Sequence, residues 1–76
     1  MPNLSERLIQ LRAKKQILQK DIAFGCELHL RTYQRYEKSE RLPDTDTLIK
    51  LCQYFNVSAD YLLGLSDEPT PLKPSE

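Results

Sequence analysis

Apolar residues recur at helical spacing along nearly the whole chain, and no stretch alternates as a half-buried strand would. Leu4, Leu8 and Leu11 form one stripe and predict a helix over residues 4–15. Asn3 followed by Glu6 has the form of a capping box at its start. Ile17 falls in the connection, and Ile22, Ala23 and Cys26 give the inward face of a second helix over 18–26. Gly25 weakens its last turn. Leu28 sits in a turn before a third helix, 30–38. Pro43 biases Leu42 away from helix, so residues 39–44 read as a loop, and Asp44 is placed to cap the next helix. Leu48, Leu51, Cys52 and Phe55 recur at i, i+3, i+4 and i+7, predicting a fourth helix over 45–55. Asn56 is a left-handed stop. Ser58 caps a short fifth helix over 59–63, with Asp60 favoured in its first turn by the helix dipole, and Gly64 ends it. The expected fold is therefore all-α with five helices.

From Ser66 the pattern stops. The stretch SDEPTPLKPSE holds three prolines, and Leu72 is its only large apolar residue. Residues 1–65 are expected to form one domain and 66–76 a flexible, Pro-rich acidic tail. A start at Met1 and a short tail fit a small complete protein as well as a fragment in which 66–76 lead to an effector portion.

The third helix carries the most distinctive pattern. Arg31, Gln34, Arg35 and Lys38 fall at i, i+3, i+4 and i+7 on one face, with no acid on the strip, while Tyr33 and Tyr36 point the opposite way. One side suits burial; the other carries cations and an amide. An arginine fork matches guanine edges and phosphates, and a glutamine amide matches adenine. The second and third helices, joined by a short turn, form a helix-turn-helix unit.

Net charge is zero, but its distribution is not even. Residues 1–43 hold nine Lys/Arg against five acids, a net of +4, and residues 44–76 hold two against six, a net of −4. A basic front and acidic back would orient the molecule toward a polyanion. With no apolar run long enough to span a bilayer and no signal-peptide pattern, the expectation is a cytoplasmic protein with no membrane partner. Cys26 and Cys52 read as small buried hydrophobes rather than a disulfide pair. With His29 they fall short of a metal site, so no metal and no cofactor is expected. A single histidine, no nucleophile spaced with a base and no glycine-rich phosphate loop argue against an enzyme.

Taken together, Arg7-Leu8, Leu11-Arg12, Gln19, Ile22-Ala23, Arg35-Tyr36-Glu37, Glu40-Arg41, Pro43-Asp44, Thr47-Leu48, Val57-Ser58 and Tyr61-Leu62-Leu63-Gly64 give the chain its family likeness. In their order and spacing the sequence resembles the phage repressor/Cro-type helix-turn-helix regulators over about residues 4–65. The resemblance implies a compact five-helix repressor-type DNA-binding domain whose third helix enters the major groove of operator DNA. It implies that Gln19 donates to a phosphate. Leu30, Arg31 and Thr32, in the first turn of the third helix, would meet bases or flanking phosphates together with Gln34 and Arg35. Lys38 and Arg41 would follow the backbone, and Arg12 and Glu37 would pair as a structural clamp.

The sequence departs from the family pattern at five positions. Leu18 and His29 stand where Ser or Thr usually caps the second and third helices. Leu30 replaces a polar residue, and Glu27 and Ser39 replace glycines. A positive φ at Glu27 would carry strain.

The expected function is that of a sequence-specific, double-stranded DNA-binding transcriptional regulator, a repressor acting as a homodimer in the cytoplasm and, in a bacterial or phage context, at the nucleoid. Helix 5 and Leu65 are the expected dimer contact. Arg31, Gln34, Arg35 and Leu30 are the expected base readers; Gln19, Thr32, Lys38 and Arg41 the expected phosphate contacts. His29 is expected to cap a helix or lie on the surface. A second reading, motivated by the acidic half and the Pro-rich tail, is an antitoxin-like module whose main partner is another protein.

Overall fold

The computed structural model describes residues 3–70. Its five helices follow the apolar periodicity: α1 Leu4–Lys15, α2 Gln19–Gly25, α3 Leu30–Glu37, α4 Thr45–Phe55 and α5 Ala59–Leu62. No strand occurs among the described residues. Helices α1 and α2 both pack on α3, while α5 bridges α1 and α4.

The core sits where these faces meet. Leu4, Leu8 and Leu11 from α1, Ile22 and Ala23 from α2, Tyr33 and Tyr36 from α3, Leu51 and Phe55 from α4, and Leu62 from α5 are buried together, joined by Cys26 and Val57. Full burial of a side chain the size of Leu8, Ile22 or Phe55 contributes about 1.5–3 kcal/mol. That exceeds what intrinsic propensity supplies to helices this short. No helix among the described residues is long and apolar enough to cross a membrane.

Three helices start with a side-chain cap. Asn3 Oδ1 accepts from the Glu6 amide at 2.9 Å, Asp44 Oδ1 from the Thr47 amide at 2.8 Å, and Ser58 Oγ from the Tyr61 amide at 3.1 Å. The other two, α2 and α3, begin at Leu18 and His29 without one. His29 occupies the N-cap position of α3 without a side-chain bond, and its side chain lies on the surface, the second of the two places expected for it.

All five helices end in one way. A residue in the left-handed region follows each: Gln16, Glu27, Ser39, Asn56 and Gly64, with φ of 55, 58, 60, 55 and 83°. The amide one residue further on then reaches back five residues. These bonds run from Ile17 to Arg12, Leu28 to Ala23, Glu40 to Arg35, Val57 to Cys52 and Leu65 to Asp60, at 2.8–3.1 Å. This closure satisfies carbonyls that the helix leaves free.

Gly25 has a packing reason beyond the weakened turn: a Cβ there would stand 2.5 Å from the Tyr54 ring. Cys26 is buried in the core, whereas Cys52 is only half-buried; both are free thiols.

The tail departs from its expected course at residues 66–70. Arg7, buried and with its guanidinium 3.9 Å from the centre of the Tyr61 ring, donates to Asp67 Oδ1 at 2.8 Å and more weakly to the Ser66 carbonyl. The Ser58 amide donates to the Pro69 carbonyl at 2.9 Å. Residues 66–70 therefore lie back on α1 and α5, where Ser66 and Asp67 supply acceptors to the buried guanidinium. The remainder of the expected tail, residues 71–76, lies outside the described residues.

The left-handed Glu27 yields a stability prediction. That conformation costs an L-residue roughly 1–2 kcal/mol, and a glycine gives back about 0.4–1 kcal/mol through the unfolded chain. The pair between Lys50 and Glu27, at 3.5 Å and exposed, contributes little. Glu27→Gly should therefore raise the unfolding free energy by roughly 0.5–1 kcal/mol. Urea denaturation checks this, and an unchanged or lower midpoint contradicts it.

Candidate nucleic-acid interface

Burial of Tyr33 and Tyr36 turns the opposite face of α3 to solvent. On that face Leu30, Arg31, Gln34, Arg35 and Lys38 line a polar groove of about 640 Å³ together with Glu40. Four of the residues expected from sequence to read bases thus share one concave surface with Lys38. The helical strip itself carries no acid, as its spacing predicts, but Glu40 from the loop after α3 joins the groove, where helical spacing says nothing about its position. Thr32 is half-buried and does not line the groove, and Arg41 is exposed in the loop.

Beneath the groove lies a chain of hydrogen bonds. Glu37 is buried and receives Arg12 through two bonds, Nε to Oε2 at 2.8 Å and Nη2 to Oε1 at 2.9 Å. Gln19 Nε2 donates to Glu37 Oε1 at 3.1 Å, and Gln34 Nε2 donates to Gln19 Oε1 at 3.2 Å. The polarity of this chain follows from the carboxylate. Ionised Glu37 only accepts, so Gln19 must face it with NH₂, and its carbonyl then faces the NH₂ of Gln34. Gln34 keeps a free carbonyl and one free N–H, the acceptor and donor that adenine N6 and N7 require. Gln19 keeps one N–H, so its amide is shared between the protein and any phosphate rather than wholly available. Ser5 Oγ also donates to the backbone carbonyl of Glu37.

Electrostatics hold this cluster in one protonation state. Burial by itself would raise the pKa of Glu37, but hydrogen bonding, with Arg12 the strongest donor, outweighs it and holds the carboxyl below its ordinary value. The same bond raises Arg12. The Tyr33 hydroxyl is buried without a hydrogen-bond partner. Burial first, and the nearby Glu37 second, push this phenol above its ordinary range.

A second concavity, apolar and about 560 Å³, lies between α4 and α5. Leu48, Ile49, Cys52, Val57 and Ala59 line it, with Asp60 at its edge. Periodicity places Leu48 and Cys52 in the core and gives no sign of this groove, because it depends on the angle at which α5 leaves Asn56. No group of three or more potential metal ligands occurs among the described residues.

The helix-turn-helix family model matches residues 8–62, spanning most of α1 and the whole of α2 to α5. The chain belongs to the helix-turn-helix family. It is 44% identical over 62 residues to the HTH-type transcriptional regulator ImmR of Bacillus subtilis (strain 168), covering 82% of this chain and 49% of that protein. It is 35% identical over 66 residues to the uncharacterized HTH-type transcriptional regulator YobD of the same organism, covering 87% of this chain and 59% of that protein. The chain spans about half the length of these relatives.

Among solved structures, a transcriptional regulator from Listeria innocua superposes with a TM-score of 0.79 at 32% identity, over 87% of this chain and 62% of that one. The P22 c2 repressor, solved in complex with a synthetic operator, superposes with a TM-score of 0.81 at 26% identity, over 87% of this chain and all of that one. The five-helix architecture is thus that of repressor-type helix-turn-helix domains.

The lowered Glu37 carboxyl sets a pH dependence. Its contribution is complete above an unfolded-state value of about 4.3 and is lost as pH falls through the lower folded value. Glu37→Gln should cost on the order of 2 kcal/mol at pH 7, the range of a hydrogen bond to a charged group. It should also flatten the acid limb of the stability profile. Denaturation midpoints between pH 2 and 7 test both, and a parallel profile for the variant contradicts the assignment.

Proposed function

We propose that this chain acts as a transcriptional regulator, a repressor that binds double-stranded operator DNA sequence-specifically with α3 in the major groove. The observation that carries this reading is the groove on the free face of α3, whose basic and amide side chains sit on a helix locked from behind. The relatives named as transcriptional regulators support it, as does the superposition on a repressor held on its operator.

In this reading Arg31 and Gln34 read base edges, with Leu30 placed for a thymine methyl and Arg35 for a base or phosphate. Lys38, Arg41, Thr32 and the remaining N–H of Gln19 grip phosphates. The uncapped N-terminus of α3 leaves backbone amides free for the same purpose. Arg12 and Glu37 touch no DNA; they fix the angle of α3. The site of action is the cytoplasm, at the nucleoid of a bacterial or phage system.

A single domain of this size covers limited DNA, so the functional form is a homodimer on paired half-sites about 34 Å apart or multiples of that. The apolar α4–α5 groove, with exposed Ile49, Leu63 and Leu65 nearby in sequence, supports a contact on this side of the molecule.

Selection of bound duplexes from a random pool at stated salt tests the reading. Enrichment of a defined site is expected; no enrichment together with salt-independent binding overturns it. On the selected site, Arg31→Ala should relax preference at one base position, a loss of about 1–3 kcal/mol of discrimination. Lys38→Ala should weaken all sequences alike and reduce the salt slope by roughly 1. Sedimentation should show a dimer at high concentration or on a palindromic site, and Ile49→Asp should shift it to monomer. A parent that stays monomeric both free and on DNA rules the dimer out.

A further inference from the structure

We propose that Glu40 is a specificity-determining residue of the α3 groove, penalising phosphate and favouring a base amino group. The inference rests on the DNA-binding reading above and goes beyond its set of basic and amide contacts.

Glu40 is fixed by the shared helix closure. Its amide donates to the Arg35 carbonyl at 2.9 Å, as the equivalent amide does at every other helix end. At the ends of α1, α2 and α4 the equivalent residues are Ile17, Leu28 and Val57, which pack on the core. An apolar residue at this position is the usual partner of such a closure. At the end of α5 it is Leu65, exposed but apolar. At the end of α3 alone the residue is charged, and it lines the groove with Leu30, Arg31, Gln34, Arg35 and Lys38. No salt bridge to these cations holds it: among the described residues the ion pairs join Arg7 to Asp67, Arg12 to Glu37 and Lys50 to Glu27. Neither the core nor a neighbouring charge accounts for an acid here.

The chemistry of the groove gives it a role. Arg31, Arg35 and Lys38 are donors only, and donors suit phosphate oxygens and guanine alike. They raise affinity for every duplex. A carboxylate is an acceptor only, and it is repelled by phosphate whatever the sequence. The donors that a major groove offers it are the amino groups of cytosine and adenine. Glu40 therefore lowers binding to DNA at large and recovers the loss where such an amino group faces it, which is discrimination by repulsion of the wrong partner.

Glu40→Ala tests this, removing both the charge and the acceptor at an exposed position. Affinities of parent and variant are measured at one stated salt for the duplex selected by the parent and for a shuffled duplex of the same composition. The variant should bind the shuffled duplex more tightly. The ratio of selected to shuffled affinity should fall at least about fivefold, the low end of discrimination by one base contact. Repeating the selection with the variant should erase preference for cytosine or adenine at one position. Equal tightening on both duplexes, or no change on either, overturns the role of Glu40 while leaving the regulator reading intact. A parent that selects no sequence overturns both.

Discussion

Glu37 is the residue on which three helices converge. Its carboxylate takes two hydrogen bonds from Arg12 of α1 and one from Gln19 of α2, and its backbone carbonyl takes one from Ser5. A buried carboxylate left unpaired would be strongly unfavourable, so the helices that supply its partners must keep their relative positions. The tyrosines one and four residues earlier sit in the core. Apolar burial thus fixes the depth of α3, and the ion pair fixes its rotation and tilt. The exposed face of α3 is consequently the surface of a rigid body, which is the condition for reading base edges at ångström tolerance.

The same carboxylate orients the groove chemically. Because it only accepts, it dictates the direction of both amides above it and leaves Gln34 with an acceptor and a donor facing outward. In the proposed reading, structural and base-reading roles merge in one chain of contacts, running from a guanidinium in α1 to an amide that lines the groove. A cluster of this kind depends on every member being satisfied. The one unsatisfied member, the Tyr33 hydroxyl, lies inside it.

Much of this was legible in the residues. Leu4, Leu8 and Leu11, and Leu48, Leu51 and Phe55, placed α1 and α4 by periodicity alone, while Asn3, Asp44 and Ser58 marked helix starts that the structure also shows. The split of α3 into a tyrosine face and a basic face came from spacing. Helix ends were harder to see. Asn56 and Gly64 announce a left-handed residue, but Gln16 and Ser39 do not, since the hydrogen-bonded closure of the helix there overrides a mild preference of the residue itself. The folding back of residues 66–70 was illegible for a similar reason: the prolines and few apolar side chains signal a tail, and the contacts that dock it come from the buried Arg7 and from Ser58.

What the sequence determined by itself is what depends on neighbours three or four positions away: the number and extent of helices, their buried faces, and the cationic face of α3. What tertiary structure alone decided depends on residues far apart in the chain. It joined Gln19 and Gln34 to the Arg12–Glu37 pair that the family likeness implied, set Glu40 in the lining of the α3 groove, and opened the apolar groove between α4 and α5. Helical periodicity says which way a side chain points from its own axis. Only the packing of one axis against another says what it meets.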